Sequence, residues 1–432
     1  MVNQRNEAQP AVKNLGWLVT FAGTCALLAL GVLYAWSVIK QNIPDEWGWL
    51  AWQKALPYSV ACVVFSIMMV VGGRLQDKFG PRVVVTAGGV LAGLGMILSS
   101  LTTSPWVFTF SFGILLGSGI GFVYASGTPA AMKWFPAKKT GLISGIVVAG
   151  FGMGSAWVAP LAKSLIASQG VQTTLLWLGI GMFIAVVGFA QLLKAPPAGY
   201  VPVGSAPSAS TSAVKRFDYT PGEVMKTWQF YVLWLAFAFG AGAGLMIIGN
   251  LASIVTKQAS LPALSAIAVS VLALGNGGGR VLAGTLSDKY GRKIVLLVSF
   301  VFQAVLIFVM SMMVGGSALA TAPMILILSA LIGANYGANL AVFPAISKDY
   351  FGLKNFGMNY GLVYTAWGLG GFMLSLIAGA INDATQTFTY AYFMAAGLLV
   401  VAAVLMAILK APAKEKSKEE VSVPVGATPA LD

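Results

Sequence analysis

The sequence predicts an all-α integral membrane protein built as two six-helix bundles, and three observations carry that prediction. Of its 432 residues, 58% are hydrophobic and only 9% are charged, where a soluble domain carries roughly 25% charged residues. Apolar runs of the length that crosses a bilayer, about 20 residues each, follow one another with short polar breaks, about twelve in all. A charged motif also recurs at matching places in the two halves.

The expected spans are 15–39, 51–72, 82–101, 105–132, 140–162, 171–193, 228–256, 262–286, 293–314, 321–346, 355–381 and 387–409. The first is too long for the apolar core of a secretory signal and lacks a small-residue cleavage pattern, so it is expected to be retained. Between the sixth and seventh spans, the stretch beginning APPAGYVPVGSAPSASTSAV is rich in Pro, Ser, Gly and Ala. That composition cannot bury a core and reads as a linker. The expected organisation is a bundle at 1–194, a linker at 195–227, a second bundle at 228–410 and a polar tail at 411–432.

Charge is distributed by side. One set of alternate loops carries Arg5, Lys13, Arg74, Lys78, Arg82, Lys133, Lys138, Lys139, Lys194, Lys215, Arg216, Lys226, Lys289, Arg292, Lys293, Lys348, Lys354 and the tail lysines; the other carries Lys40, Lys54, Lys163 and Lys257. Cytoplasmic loops are the ones enriched in Lys and Arg, so both termini are expected in the cytoplasm of a cell with this chain in its inner (plasma) membrane. The net charge of +13 is therefore a membrane-topology signal, and no nucleic-acid partner is expected. Lipid is the surrounding partner.

The chain has no histidine, and apart from Asp383 at the end of a span its carboxylates fall in loops, tails or span termini. Membrane proteases, metal enzymes and histidine acid–base chemistry lack their usual parts. No cofactor, no metal and no enzymatic activity are expected. Cys25 and Cys62 both fall inside spans and read as packing residues.

The repeat is specific. Gly73-Arg-Leu-Gln-Asp77-Lys-Phe-Gly80-Pro-Arg82 follows the second span and Gly284-Thr-Leu-Ser-Asp288-Lys-Tyr-Gly291-Arg-Lys293 follows the eighth, both fitting G-x-L-x-D-K-[FY]-G-x-[RK]. Glycine permits a tight helix-to-helix turn, aspartate accepts from helix-end amides or pairs with a cation, and the basic residues fix the loop on the inner face. Gly141 and Gly145, opening the fifth span, are echoed by Gly357 and Gly361 in the eleventh. Repeated six-span halves are a transporter architecture, with a site near midmembrane between them.

Arg280 breaks the repeat. Eight residues before Asp288, it lies about 12 Å deeper along the helix, while the position eight before Asp77 is Met69; Asn276 likewise corresponds to Phe65. A permanent charge in an apolar run normally faces a cavity or an anionic partner, and the same run supplies no acid. Asn276, one turn before Arg280, points from the same face. Together they offer a cationic fork and an amide, which suit a carboxylate with a neighbouring hydroxyl or carbonyl. The glycines 277–279 between them indicate close helix packing or local flexibility, since no strand precedes them as a phosphate loop would require. Tyr34, Tyr124, Tyr336 and Tyr364 lie within spans rather than in an interfacial belt, and each is a candidate for either helix packing or substrate contact. Asn335 and Asn339 are candidates for hydrogen bonds between helices.

The paired loops resemble the signature of the major facilitator superfamily. A closer resemblance rests on Gly31-Val-Leu-Tyr34-Ala-Trp36-Ser37, on Gly150-Phe-Gly152-Met-Gly154 and on Asn359-Tyr-Gly361-Leu-Val-Tyr364-Thr-Ala-Trp367-Gly368. These look like the oxalate:formate antiporter family and its relatives the monocarboxylate transporters, and more narrowly like bacterial monocarboxylate transporter homologues that carry L-lactate. The resemblance implies that Arg280 matches an arginine binding the substrate carboxylate. Where oxalate exchangers hold a lysine, this chain has Trp367, so one fixed positive charge implies a monoanion. Animal monocarboxylate transporters hold an aspartate and a lysine for proton coupling where this chain has Asn276 and Val38. The expectation is alternating-access transport of a small monocarboxylate, L-lactate foremost, with a co-transported proton; exchange of organic anions and a non-transporting anion sensor are the alternatives.

Overall fold

The computed structural model describes residues 14–136, 139–197, 200, 202, 218–352 and 355–412. Arg5, Lys13, Lys138, Lys215, Arg216, Lys354, most of the expected linker and nearly all of the expected tail lie outside the described residues, as does the side chain of Asp77. Among the described residues every regular element is helical.

Among the described residues, eleven helical stretches are long and apolar enough to cross a membrane. One of them, Leu142–Ala190, has 49 residues, about twice what a single crossing takes. Gly170 divides it, with φ 78° and ψ 172°, a conformation essentially restricted to glycine. Residues 140–169 and 171–190 are thus the fifth and sixth spans, bringing the crossings to the twelve that the sequence predicts. The others are Gly16–Gln41, Ala51–Phe79, Pro81–Ser100, Pro105–Met132, Trp228–Gln258, Pro262–Tyr290, Arg292–Ser311, Ala322–Phe351, Phe356–Thr385 and Thr389–Ile408.

Several helices outlast their apolar runs. The second span continues seven residues past the expected end at 72, and the fifth reaches Gly170 rather than 162. Backbone hydrogen bonding does not depend on hydropathy, so a helix persists beyond the bilayer core until a residue with non-helical backbone stops it. This relocates the repeated motif. Gly73 and Asp77 lie inside the second helix, Gly284 and Asp288 inside the eighth, and Arg82 and Lys293 open the helices that follow. The turn itself is made by Gly80 (φ 81°) and Gly291 (φ 93°). Asp288 pairs with Arg292, which also reaches Asp349 at 3.3 Å. Lys293 Nζ donates to the carbonyls of Ala407 (2.7 Å) and Leu409 (2.8 Å), tying this turn to the end of the last span.

Small residues bring the site-bearing helices together. A Cβ on Gly275 or Gly279 would collide with the carbonyl oxygens of Ala330 or Ala334, and one on Gly333 or Gly337 with those of Leu272 or Asn276. The eighth and tenth spans therefore touch backbone to backbone, the close approach expected of small-residue interfaces in lipid. The first and fifth do the same, Gly31 against Gly154.

The first six helices meet the last six along a central seam. On the face opposite the linker, Asp383 at the end of the eleventh span accepts from the backbone amides of Ala51 (2.8 Å) and Trp52 (2.9 Å), capping the second helix where its dipole favours an anion. Lys163 in the fifth span donates to the carbonyls of Pro262 (2.9 Å) and Ala263 (3.2 Å). Both cysteines are free thiols, Cys62 buried among the helices and Cys25 half-buried.

The two glycines of the repeated motif should behave differently on substitution. Gly291→Ala is expected to lower the unfolding midpoint of the purified, detergent-solubilised protein by the equivalent of about 1–3 kcal/mol. Gly284→Ala, inside a helix and facing open space, should leave the midpoint unchanged or raise it by up to about 1 kcal/mol. The reverse ranking would place the turn at the first glycine.

Candidate functional site

The eighth helix carries Arg280 and Asn276 on one face, one turn apart, and both end up at the seam. Arg280 is 4% exposed and Asn276 fully buried. The guanidinium spends two of its donors on the protein: Nε donates to Asn276 Oδ1 at 3.1 Å, and Nη1 donates to the carbonyl of Val148 in the fifth span at 2.9 Å. Its Nη2 has no hydrogen-bond partner, and neither has the amide nitrogen of Asn276, Nδ2. No carboxylate pairs with Arg280 among the described residues. A buried donor left without a partner costs about 1–3 kcal/mol, more when charged. Two such donors on adjoining side chains, one cationic, make this the candidate site, with hydrogen-bonding capacity to offer an acceptor.

Gly152 makes room for the guanidinium. A Cβ there would stand 3.2 Å from Cζ, Nε and Nη2 of Arg280, so the cation lies flat against the backbone of the fifth span. Its neighbours in the Gly150-Phe-Gly152-Met-Gly154 run serve other contacts. Gly150 meets the carbonyl of Thr24 and Gly154 meets Gly31, both in the first span. The same run thus sets the first span against the fifth and seats the arginine between the halves.

An aromatic layer encloses this centre. Tyr34 follows a tight 3-10 turn, Gly31–Leu33, that interrupts the first span, and its hydroxyl lies 2.8 Å from that of Tyr336 in the tenth. Trp367 Nε1 donates to the same Tyr336 hydroxyl at 2.8 Å and its ring stacks on Tyr364 at 5.3 Å between centroids. Tyr124 packs against Phe65 (5.3 Å) and Phe151 (5.6 Å), and Phe65 also meets Trp367 edge-on at 4.9 Å. Tyr34 meets Phe151, the neighbour of Gly152, at 4.9 Å, and Tyr124 meets Tyr364 at 6.2 Å between centroids. The six candidates Arg280, Asn276, Tyr34, Tyr124, Tyr336 and Tyr364 therefore converge on one place, drawn from the first, fourth, eighth, tenth and eleventh spans.

Three aromatic members are absent from the residues the sequence singles out as candidates. Phe65 is the repeat counterpart of Asn276, so its presence at the seam was legible in the alignment of the halves. Phe151 carried no such signal, and Trp367 was visible only as a departure from a motif. Asn335 and Asn339 do not bridge helices. Asn335 Nδ2 donates to Leu331 and Asn339 Nδ2 to Asn335, both carbonyls four residues back on their own helix, the local alternative that a short amide always has.

Comparison with known proteins places this geometry in a lineage. A family model described as Major Facilitator Superfamily matches residues 16–310 and 233–431. The uncharacterized MFS-type transporter YhjX of Escherichia coli strain K12 is 30% identical over 360 residues, covering 82% of this chain and 85% of that protein. The oxalate:formate antiporter of Oxalobacter formigenes is 28% identical over 363 residues, 84% of each chain, and monocarboxylate transporter 13 of Bos taurus is 24% identical over 401 residues, 91% of this chain and 89% of that one. Among solved structures, a bacterial homologue of the human lysosomal transporter Spinster, inward-facing and unoccupied, superposes with a TM-score of 0.66 at 15% identity, covering 92% of this chain and 96% of that one. That likeness speaks for the fold alone. With the family model matching from the first span to the end of the chain, and the twelve helices arranged accordingly, this chain belongs to the Major Facilitator Superfamily.

Proposed function

We propose that the protein is a secondary active transporter of small monocarboxylates, with L-lactate as substrate, working by alternating access. The observation that carries this reading is the pair of orphan donors, Arg280 Nη2 and Asn276 Nδ2. A carboxylate would take both Arg280 and the amide, while its short tail, with or without a hydroxyl, would lie against the tyrosines and Phe65, Phe151 and Trp367. One guanidinium balances one carboxylate. A dicarboxylate would leave its second charge buried against Trp367, a cost of several kcal/mol in a dry site. Names of relatives support small carboxylates as the substrate class, since one is called an oxalate:formate antiporter and another a monocarboxylate transporter.

In this reading the linker face is cytoplasmic, the membrane is the plasma membrane, and the two six-helix halves rock about the seam. A proton accompanies the anion on the carboxylate itself or through water, because Asn276 and Val38 leave no dedicated acid or base. No chemical step is assigned to the protein. The similarity to an oxalate:formate antiporter favours anion exchange as the second reading. Uptake into proteoliposomes that requires internal anion and ignores a pH gradient would establish exchange in place of symport.

Substitutions at three site positions, with Gly145 as a control, test the site. Arg280→Ala and Arg280→Lys should each cut L-lactate uptake by about 100-fold or more, a loss of the size seen when one member of a buried charged pair is removed, with the protein still inserted and monodisperse. An ammonium cannot reproduce the guanidinium fork. Wild-type uptake by the alanine variant would overturn the assignment. Gly152→Ala should raise the KM for lactate several-fold by displacing the guanidinium, while Gly145→Ala, whose Cβ would meet nothing, leaves it unaltered. Equal effects of the two would detach Gly152 from the site. In a competition panel, Trp367→Lys should move preference from monoanions toward dianions; an unaltered ranking would mean that the substrate does not reach the eleventh span.

A further inference from the structure

We propose that a second anion site lies at the seam on the face opposite the linker, a cavity lined by Lys40, Lys54 and Lys257, where small carboxylates are captured before they reach Arg280. The cavity has a volume of about 290 Å³. The anion site stands independently of the transport reading; its role as an entry station rests on that reading.

This face carries very few cations, Lys40, Lys54, Lys163 and Lys257, and the topology places every one of them at the junction of the halves. Three of the four line a single cavity. Scattered solvated lysines would not gather in this way.

Their charge is poorly compensated. Lys40 is 6% exposed, and its ammonium donates to Asn250 Oδ1 at 2.6 Å, a neutral amide on the seventh span. An ammonium has three donors, and no carboxylate pairs with this one among the described residues. Lys257 forms no ion pair among the described residues either, and is exposed to the cavity. Two acids stand nearby: Asp45, which also lines the cavity, pairs with Lys54 at 3.4 Å, and Asp383, within electrostatic reach of Lys40, accepts from the amides of Ala51 and Trp52, so three lysines face two carboxylates. A buried ammonium whose one hydrogen bond goes to an amide, beside a second lysine without an ion pair among the described residues, offers free donors to an anion.

Placement gives the site its consequence. Lys40–Asn250 is one of the bonds that join the first span to the seventh, with Thr256 Oγ1 donating to Gln41 Oε1 at 3.0 Å beside it. A carboxylate accepts from an ammonium more strongly than an amide oxygen does. An anion on the free donors of Lys40 competes with Asn250 for the ammonium, and weakening that bond between the halves favours separation of the two spans on this face. A ligand shifts a conformational equilibrium only through such differential contact, and here the contact is a single exchangeable hydrogen bond.

The test uses a cysteine reporter in the cavity. Asn382→Cys in a Cys25→Ser, Cys62→Ala background is reacted in detergent with an anionic and a cationic methanethiosulfonate reagent of similar size. The anionic reagent should react several-fold faster, because three lysines outnumber the two carboxylates at the cavity. Acetate and L-lactate should slow it in a saturable manner, and chloride at equal ionic strength should not. Lys257→Gln, at an exposed position, and Lys40→Gln should each reduce both effects. Protection by acetate should persist with Arg280→Ala added, which separates this cavity from the central site. Equal rates for the two reagents, or slowing by chloride as strong as by acetate, would overturn the site. In proteoliposomes Lys257→Gln should raise the KM for lactate several-fold with kcat unchanged; an unaltered KM with a positive reagent result would remove the entry role and leave the anion site. Because the reagent assay needs no flux, its outcome is independent of whether L-lactate is the transported anion.

Discussion

A guanidinium with no carboxylate partner among the described residues, held in the plane between two helical bundles, is the feature on which the rest of this molecule depends. Arg280 reaches across the seam to the carbonyl of Val148 and back to Asn276, so the two halves share one cation. Its Nη2 has no hydrogen-bond partner in the protein. A charge this deep in an apolar region is costly whichever scale is used, and the surrounding structure is built to hold it in place rather than to neutralise it. The eighth helix is braced by direct backbone contact with the tenth, and the fifth gives up a side chain at Gly152 to admit the guanidinium.

The tyrosine and tryptophan layer completes this arrangement. Tyr34, Tyr336 and Trp367 form a connected set of hydrogen bonds across the seam, while Phe65, Tyr124, Phe151 and Tyr364 fill the space beside it with ring contacts. Rings bring apolar area with few rotatable bonds. They can therefore define the size of a small bound molecule without offering a second charge. Within the transport reading, the contrast between one cation and many rings is what separates a monocarboxylate site from a dicarboxylate one.

Hydropathy made the span count legible, and the repeated G-x-L-x-D-K-x-G loops made the twofold organisation legible, because both are properties of residue order. Arg280 and Asn276 were legible for a related reason. They break the repeat at positions where the other half has Met69 and Phe65, and a charge in an apolar run needs no neighbour to look out of place. The turn glycines were less clear: which glycine of the motif takes a positive φ depends on where the helix ends, and helices here outlast their apolar runs. Gly152 was harder still. Nothing in Gly150-Phe-Gly152-Met-Gly154 says that alternate glycines serve different partners, two against the first span and one against an arginine 128 positions along the chain.

Sequence by itself determined that this chain crosses a membrane about twelve times in two related halves, and that one half holds a cation the other lacks. Composition and periodicity suffice for that, since the cost of exposing polar groups to lipid acts on each segment separately. Only the tertiary structure decided which donors of Arg280 remain free, which rings close around it, and that Lys40 meets Asn250 rather than a carboxylate. Those facts depend on which side chains from distant segments arrive at the same few ångströms of the seam. Hydrogen bonds and ring contacts are short-ranged, and residue order alone does not specify them.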